Sequence, residues 1–211
     1  MKVGIIDYGV GNLGSVFRAL EQLSVLPVLI HSPNDIKQVD CLILPGVGSY
    51  KESKKRLDIT GWTTAIQESV INGGKSILGI CLGMQLLGDF GYEGVNEVVD
   101  SPTPGLGLIP GEVRSLTSLG CKYRVPHMGW NSIEHLNTSP ILGGIPSGTD
   151  FYFVHSYAFV VKDSSHIISL ADHSIKITSV IGLDNIWGTQ FHPEKSSKAG
   201  FKLLQNFINS F

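Results

Sequence analysis

The 211-residue chain is poor in charge, poor in cysteine and without a basic excess. Each shortage narrows what it can be. Charged residues make up 16%, with 16 Lys and Arg against 18 Asp and Glu, for a net charge of −2. No positive field is available to neutralise a row of phosphates, so nucleic acid is not expected as a partner. Cys41, Cys81 and Cys121 are an odd number at wide spacing, which leaves at least one thiol free and fits a reducing compartment. Charge-free stretches such as Ser76 to Gly88 run thirteen residues, below the roughly eighteen that a spanning helix needs. The N-terminus meets Asp7 before it can build a signal-peptide core, so a cytoplasmic protein with no membrane partner is expected. The histidines show no H-x-x-x-H spacing and Cys41 and Cys121 lack C-x-x-C partners, so neither a metal nor another cofactor is expected.

Apolar residues, by contrast, are plentiful at 42%, enough for a large core in one domain spanning 1–211. The first 90 residues alternate short apolar runs with amphipathic stretches, the pattern of parallel strands covered by helices on both faces. Strands are predicted at Val3–Ile6, Leu26–Ile30, Cys41–Leu44 and Ser76–Ile80. Leu13, Val16, Phe17, Leu20 and Leu23 share one helical face, and Trp62, Ala65, Ile66 and Val70 repeat the pattern. Gly91 to Gly111 reads as a glycine- and proline-rich loop excursion. Beyond it, Phe151–Val161, His166–Leu170, Ile175–Leu183 and Ile186–Phe191 read as strands, many antiparallel because the gaps are too short for crossover helices. A last helix is expected at about Ser197–Asn209. The fold class is therefore α/β, with a Rossmann-like, mixed but mostly parallel sheet flanked by helices.

Three local patterns carry chemistry. Gly79-Ile80-Cys81-Leu82-Gly83 is a G-x-C-x-G where an apolar strand meets the helix start Met84 to Leu87, the layout of a nucleophile elbow bearing a thiol. Small residues two positions either side let strand and helix approach, and a thiol there faces the positive end of the helix dipole, which favours the thiolate. The bland reading is a buried structural cysteine. Next, Gln190-Phe191-His192-Pro193-Glu194 closes the last strand. Residues two apart on an extended chain point to one side, so His192 can act as base toward a thiol while Glu194 orients the imidazole. In isolation this is an ordinary turn. Finally, Pro45-Gly46-Val47-Gly48 follows the third strand at the carboxyl edge, where a peptide N–H can serve as an oxyanion donor; alone it too is only a turn.

Two competing motifs fail. Gly9 to Gly14 matches G-x-G-x-x-G, but His31 stands where a dinucleotide fold needs a ribose-binding acid. Gly74-Lys75-Ser76 lacks the leading glycine of a P-loop and runs into a strand instead of out of one.

Gly79 to Gln85 together with His192-Pro193-Glu194 resembles the triad, class I glutamine amidotransferases. Asp7 to Asn12, Pro45 to Gly48, Pro126 to Asn131 and Phe151 to Tyr157 are similar to the family of glutaminase subunits of imidazole glycerol phosphate synthase. The likeness covers nearly the whole chain. It implies a Rossmann-like α/β glutaminase that hydrolyses L-glutamine and passes ammonia to a separate (β/α)8 cyclase subunit, in a heterodimer of histidine biosynthesis. By the same likeness Cys81 is the nucleophile of a glutamyl thioester, with His192 and Glu194 completing the triad. Gly46, Val47, Gly48 and Gln85 bind substrate or oxyanion, and His155, Ser156 and Tyr157 line the glutamine pocket. Asn12, His127, Met128, Trp130, Asn131 and Tyr152 face the partner, although Trp130 and Tyr152 also suit core aromatics. A subunit gated in this way is nearly silent alone. The chain departs from the family after Gln85, where Leu86 to Gly94 replaces a Phe and a Ser/Glu-rich stretch. It departs again at Asp172 to Ile175, where a Thr-x-Tyr-Gly piece is usual. Both departures resemble a family variant that supplies ammonia for amidation of a sugar in surface polysaccharide synthesis, which stands as the alternative acceptor.

Overall fold

The computed structural model describes residues 1–95 and 101–210. Five apolar runs lie side by side as parallel strands: β1 (Lys2–Ile6), β2 (Leu26–Ile30), β3 (Cys41–Gly46), β4 (Ile77–Cys81) and β13 (Ile186–Thr189). They pair in the order β2-β1-β3-β4-β13. Between them run α1 (Leu13–Glu21), α2 (Tyr50–Ile59), α3 (Trp62–Gln67) and the short α4 (Leu82–Leu86). Strand alternation sorts the core onto two faces. Val3, Ile5, Cys41, Ile43, Leu78 and Ile80 pack with Val16, Ala19 and Leu20 of α1 and with Leu203, Leu204 and Phe207 of α5 (Ser197–Ile208). Ile6, Leu42, Leu44 and Ile77 pack the other way, against Leu57 of α2, Trp62 and Ile66 of α3, and Met84 and Leu86 of α4. Burial on both faces explains why these strands read as continuous apolar runs.

The sheet continues through β12 (Lys176–Leu183), β11 (Ile167–Asp172), β8 (His127–His135) and β9 (Asp150–His155), all paired antiparallel. A second sheet, β10-β7-β5-β6, is formed by Tyr157–Val161, Gly111–Ser115, Phe90–Gly91 and Thr103–Pro104. The sequence pattern had merged β9 and β10. In the structure the chain leaves one sheet for the other at Ser156, because Phe151 and Phe153 of β9 join the first core face while Phe159 of β10 joins the second. Four strands escaped the pattern: the short β5 and β6, then β7 and β8, the last half exposed and carrying Gly129. Helix α2 escaped as well, since it is a mostly polar helix burying only Tyr50, Ser53, Lys54 and Leu57. The Gly91 to Gly111 excursion begins on β5 and contains β6, and its positions 96–100 lie outside the described residues. Among the described residues, no helix is long and apolar enough to cross a membrane.

Candidate active site

Strand β4 ends on Cys81, whose backbone takes φ 56° and ψ −110° before α4 begins. That conformation is strained for any residue with a Cβ, and the surrounding packing imposes it. Gly79 is required because a Cβ there would sit 2.6 Å from the Gly83 carbonyl oxygen. A Cβ on Gly83 would collide with the carbonyl of Leu44 on β3. The two glycines thus allow strand and helix to meet at the turn that presents the thiol.

His192 follows β13, the strand beside β4, and its imidazole Nδ1 lies 2.8 Å from Oε1 of Glu194. Both side chains are almost fully buried, at 3% and 1% exposure. Phe191, between Gln190 and His192, stacks on Phe151 of β9 at 4.1 Å between ring centroids, which anchors the segment. Burial opposes a charge on His192, but hydrogen bonds to the Cys81 thiol and the Glu194 carboxylate, with their charges, outweigh it and hold its pKa up at about 9. The Nδ1 contact to Glu194 leaves Nε2 for the sulfur. The structure thus brings Cys81, His192 and Glu194, drawn from two separate motifs, into one connected thiol–imidazole–carboxylate array.

A cavity of about 390 Å³ opens onto this array, lined among others by Val47, Gly48, Cys81, Gln85, His155, Ser156, Tyr157 and His192. Gly48 takes φ +86° in the loop after β3. Two further lining residues carry opposite charges, Glu93 and Lys195; neither was singled out from sequence. Lys195 directly follows Glu194, whereas Glu93 sits in the stretch that departs from the family pattern.

Behind the cavity wall runs a chain of hydrogen bonds. The Tyr157 carbonyl can only accept, so His155 donates to it from Nδ1 at 2.8 Å. The Nε2 of neutral His155 is then an acceptor, and His127 donates to it from Nδ1 at 2.9 Å. His127 Nε2 in turn accepts from Asn131 Nδ2 at 3.1 Å, and Asn131 also donates to the Asp172 carbonyl at 2.7 Å. Burial pushes His155 down to about 3 against the opposing effect of its Tyr157 hydrogen bond. It pushes His127, stacked on His173, down to about 4.

Residues 4–210 match the family described as glutamine amidotransferase class-I. The chain belongs to that family. It is 44% identical over 210 residues to the imidazole glycerol phosphate synthase subunit HisH of a Geobacillus strain, covering 98% of this chain and 96% of that one. It is 43% identical to the subunit HisH 1 of Campylobacter jejuni strain RM1221, over 98% of both chains. The subunit HisH of Pelagibacter ubique is 38% identical across 99% of this chain and 100% of its own. The solved structure of PurLQS from Thermotoga maritima superposes with a TM-score of 0.75 at 19% identity, covering 99% of this chain and 97% of that one. At that identity it speaks for the fold alone.

On this class I amidotransferase the positions expected to face a partner fall into two groups. Met128 and Trp130 of β8 are exposed, and Trp130 meets Tyr152 of β9 edge-on at 6.1 Å. Asn12 lies in the loop before α1, beside Gly46 and Glu194. His127 departs from the expectation: it alternates to the inner side of β8, is buried, and spends both ring nitrogens inside the protein. Asn131 likewise directs its amide inward. The glycine-rich segment Gly9 to Gly14 leads into α1 without a neighbouring acid at position 31, where His31 instead contacts Asp7 at 2.9 Å.

Proposed function

We propose that this chain is the glutaminase subunit of an imidazole glycerol phosphate synthase, working as one domain. It hydrolyses L-glutamine to glutamate and ammonia and delivers the ammonia to a (β/α)8 cyclase subunit of histidine biosynthesis. The observation that carries the chemistry is the buried array of Cys81, His192 and Glu194 at the floor of a cavity sized for an amino acid. The relatedness to synthase subunits over the full length favours the histidine-pathway acceptor over a sugar.

His192 takes the thiol proton and the Cys81 sulfur attacks the side-chain carboxamide carbon of glutamine. A peptide N–H of Gly46, Val47 or Gly48 stabilises the oxyanion. As the tetrahedral intermediate collapses, the C–N bond breaks and His192 returns the proton to the departing nitrogen, giving ammonia and a glutamyl thioester. Water, deprotonated by His192, then cleaves the thioester to glutamate and restores the thiol. Glu194 holds the imidazole by its Nδ1–H and stabilises the imidazolium. Glu93 suits the α-ammonium of the substrate and Lys195 its α-carboxylate, while Gln85, His155, Ser156 and Tyr157 shape the pocket. Met128, Trp130 and Tyr152, with Asn12, form the side that meets the cyclase.

Glutamate production by the chain alone, and with a cyclase subunit and its phosphoribulosyl carboxamide nucleotide substrate, tests this reading. The expected result is turnover that appears in the full mixture and falls about 10³-fold or more in Cys81→Ala. Retained turnover in that variant would remove the triad reading. Silence in the full mixture, with Cys81 still labelled by a glutamine-analogue electrophile, would move the acceptor to a sugar.

A further inference from the structure

Gln190 is a fully buried polar side chain beside the reactive sulfur, and the triad chemistry makes no use of it. Its orientation is set by a sequence of forced choices. Tyr157 contributes a backbone carbonyl, which can only accept, and Gln85 lies 2.9 Å from it through its side chain. The Gln85 atom there must be the Nε2 donor. That nitrogen also lies 3.0 Å from the Gln190 side chain. The Gln190 atom facing it must therefore be its Oε1 acceptor. The remaining end of the Gln190 amide, Nε2, is the one directed at Cys81 Sγ, 3.8 Å away. Gln190 and His192 lie two positions apart in the bend after β13, and both side chains reach the sulfur.

We propose that Gln190 is a further catalytic residue, whose side-chain amide donates a hydrogen bond to the Cys81 sulfur and favours the thiolate over the thiol. The third neighbour of the sulfur shows why a donor is needed. The thiol can donate to the Val154 carbonyl at 3.8 Å, but once the proton has passed to His192 that carbonyl dipole opposes the negative sulfur. The Gln190 contact changes in the opposite sense, because a donor binds a charged acceptor more strongly than a neutral one. Gln85 and Tyr157 act through Gln190 as positioning groups, preventing its amide from turning its oxygen toward the sulfur. The titratable groups around Cys81 are Tyr8 from the loop after β1, His192 with Glu194 behind it, and His155 at the end of β9. Glu93 and Lys195 line the same cavity.

The inference rests on Cys81 being the nucleophile, yet its test needs no turnover. The rate of Cys81 alkylation by iodoacetamide is followed against pH in the full chain by mass spectrometry of the Cys81 peptide, with the Cys121 peptide as reference. In Gln190→Met the midpoint of the Cys81 profile is expected to rise by about one pH unit. In Gln190→Glu, which keeps an acceptor for Gln85 but adds charge, it rises further. The Cys121 profile stays put. An unmoved midpoint in folded Gln190→Met, or a shift confined to Gln190→Glu, would overturn the proposal, the second by reducing it to added charge. Should the variants fail to fold, the Gln190 side-chain NH2 resonances of the ¹⁵N-labelled wild-type chain decide. They are expected to titrate with the Cys81 midpoint, and resonances that ignore it would equally overturn the proposal. Unchanged glutaminase activity in Cys81→Ala would instead remove the functional reading itself, whatever the alkylation profiles show.

Discussion

Across the boundary between β13 and β12 the nine-stranded sheet changes from parallel to antiparallel, and with it the way in which the chain serves the site. On the parallel side the reactive groups leave the carboxyl ends of β3, β4 and β13, where strands must turn sharply into helices or loops. There the backbone itself is the device: a strained Cys81, glycines packed against carbonyls, and a loop after β3 whose Val47 and Gly48 line the cavity. On the antiparallel side β8 and β9 contribute side chains instead. Their inward residues His127 and His155 build the wall behind the cavity, and their outward residues Met128 and Trp130 remain exposed. The lesson is that one half tolerates almost no change in backbone volume at the site, while the other holds its function in hydrogen-bond direction and protonation.

Glycine substitutions sharpen that contrast most. Gly83→Ala drives a Cβ into the Leu44 carbonyl, a backbone group that cannot move aside; it is expected to destabilise the fold by about 3 kcal/mol. Gly129→Ala on β8 meets nothing within 4 Å and suffers only from its φ of +131°, a penalty of about 1 kcal/mol. Denaturant unfolding of both variants measures the difference. Equal losses would break the distinction between the two halves.

Glu194→Gln leaves the volume intact and removes the charge that helps to keep His192 protonated near pH 9. Glutamine hydrolysis in the assembled enzyme is expected to fall by roughly 10²- to 10⁴-fold, with the His192 titration, followed by NMR, moving down toward its ordinary 6.5. The buried Oε2 of Glu194 has no partner among the described residues, so the substitution breaks no hydrogen bond at that atom. A variant that keeps full activity would remove Glu194 from the mechanism.

The smallest effect lies on the antiparallel side. His127 stays neutral in the folded protein down to about 4, against 6.5 ordinarily. Between those values the unfolded chain binds a proton that the folded chain does not, so stability falls as pH drops through that window. His155 extends the loss toward 3. His192 has the opposite sign: its raised pKa contributes stability that is complete below 6.5 and is lost as pH rises through about 9. His127→Phe should therefore flatten the fall in melting temperature between pH 6.5 and 4, and curves that stay parallel to wild type would contradict the buried, neutral assignment.

How much was legible in advance follows the same division. Strands β1, β3 and β4 show in the sequence because burial on both faces demands unbroken apolar runs; the edge strand β2 is only partly buried, yet its apolar run Leu26–Ile30 matches its predicted bounds residue for residue. Strand β8 was not legible, since a half-exposed strand with a glycine as its third residue carries neither clean alternation nor an apolar run. His155, Ser156 and Tyr157 could be matched to a family but not placed. What puts them at the cavity is the departure of the chain from one sheet into the other, which depends on where Phe153 and Phe159 find their cores.

By itself the sequence determined the α/β class, the elbow at Cys81 and the pairing of His192 with Glu194, because each depends on residues within a few positions of one another; the pairing is made across the start of the 3-10 turn Pro193–Lys195, not along the extended segment that the sequence suggested. Only the tertiary structure decided that Glu93 and Lys195 face one cavity, that His127 turns inward, and that Gln190 aims its amide nitrogen at the sulfur. Those outcomes join segments as far apart as Cys81 and Gln190, separated by 109 positions. The direction of a hydrogen bond is fixed only when the whole set of donors and acceptors around it has been brought together.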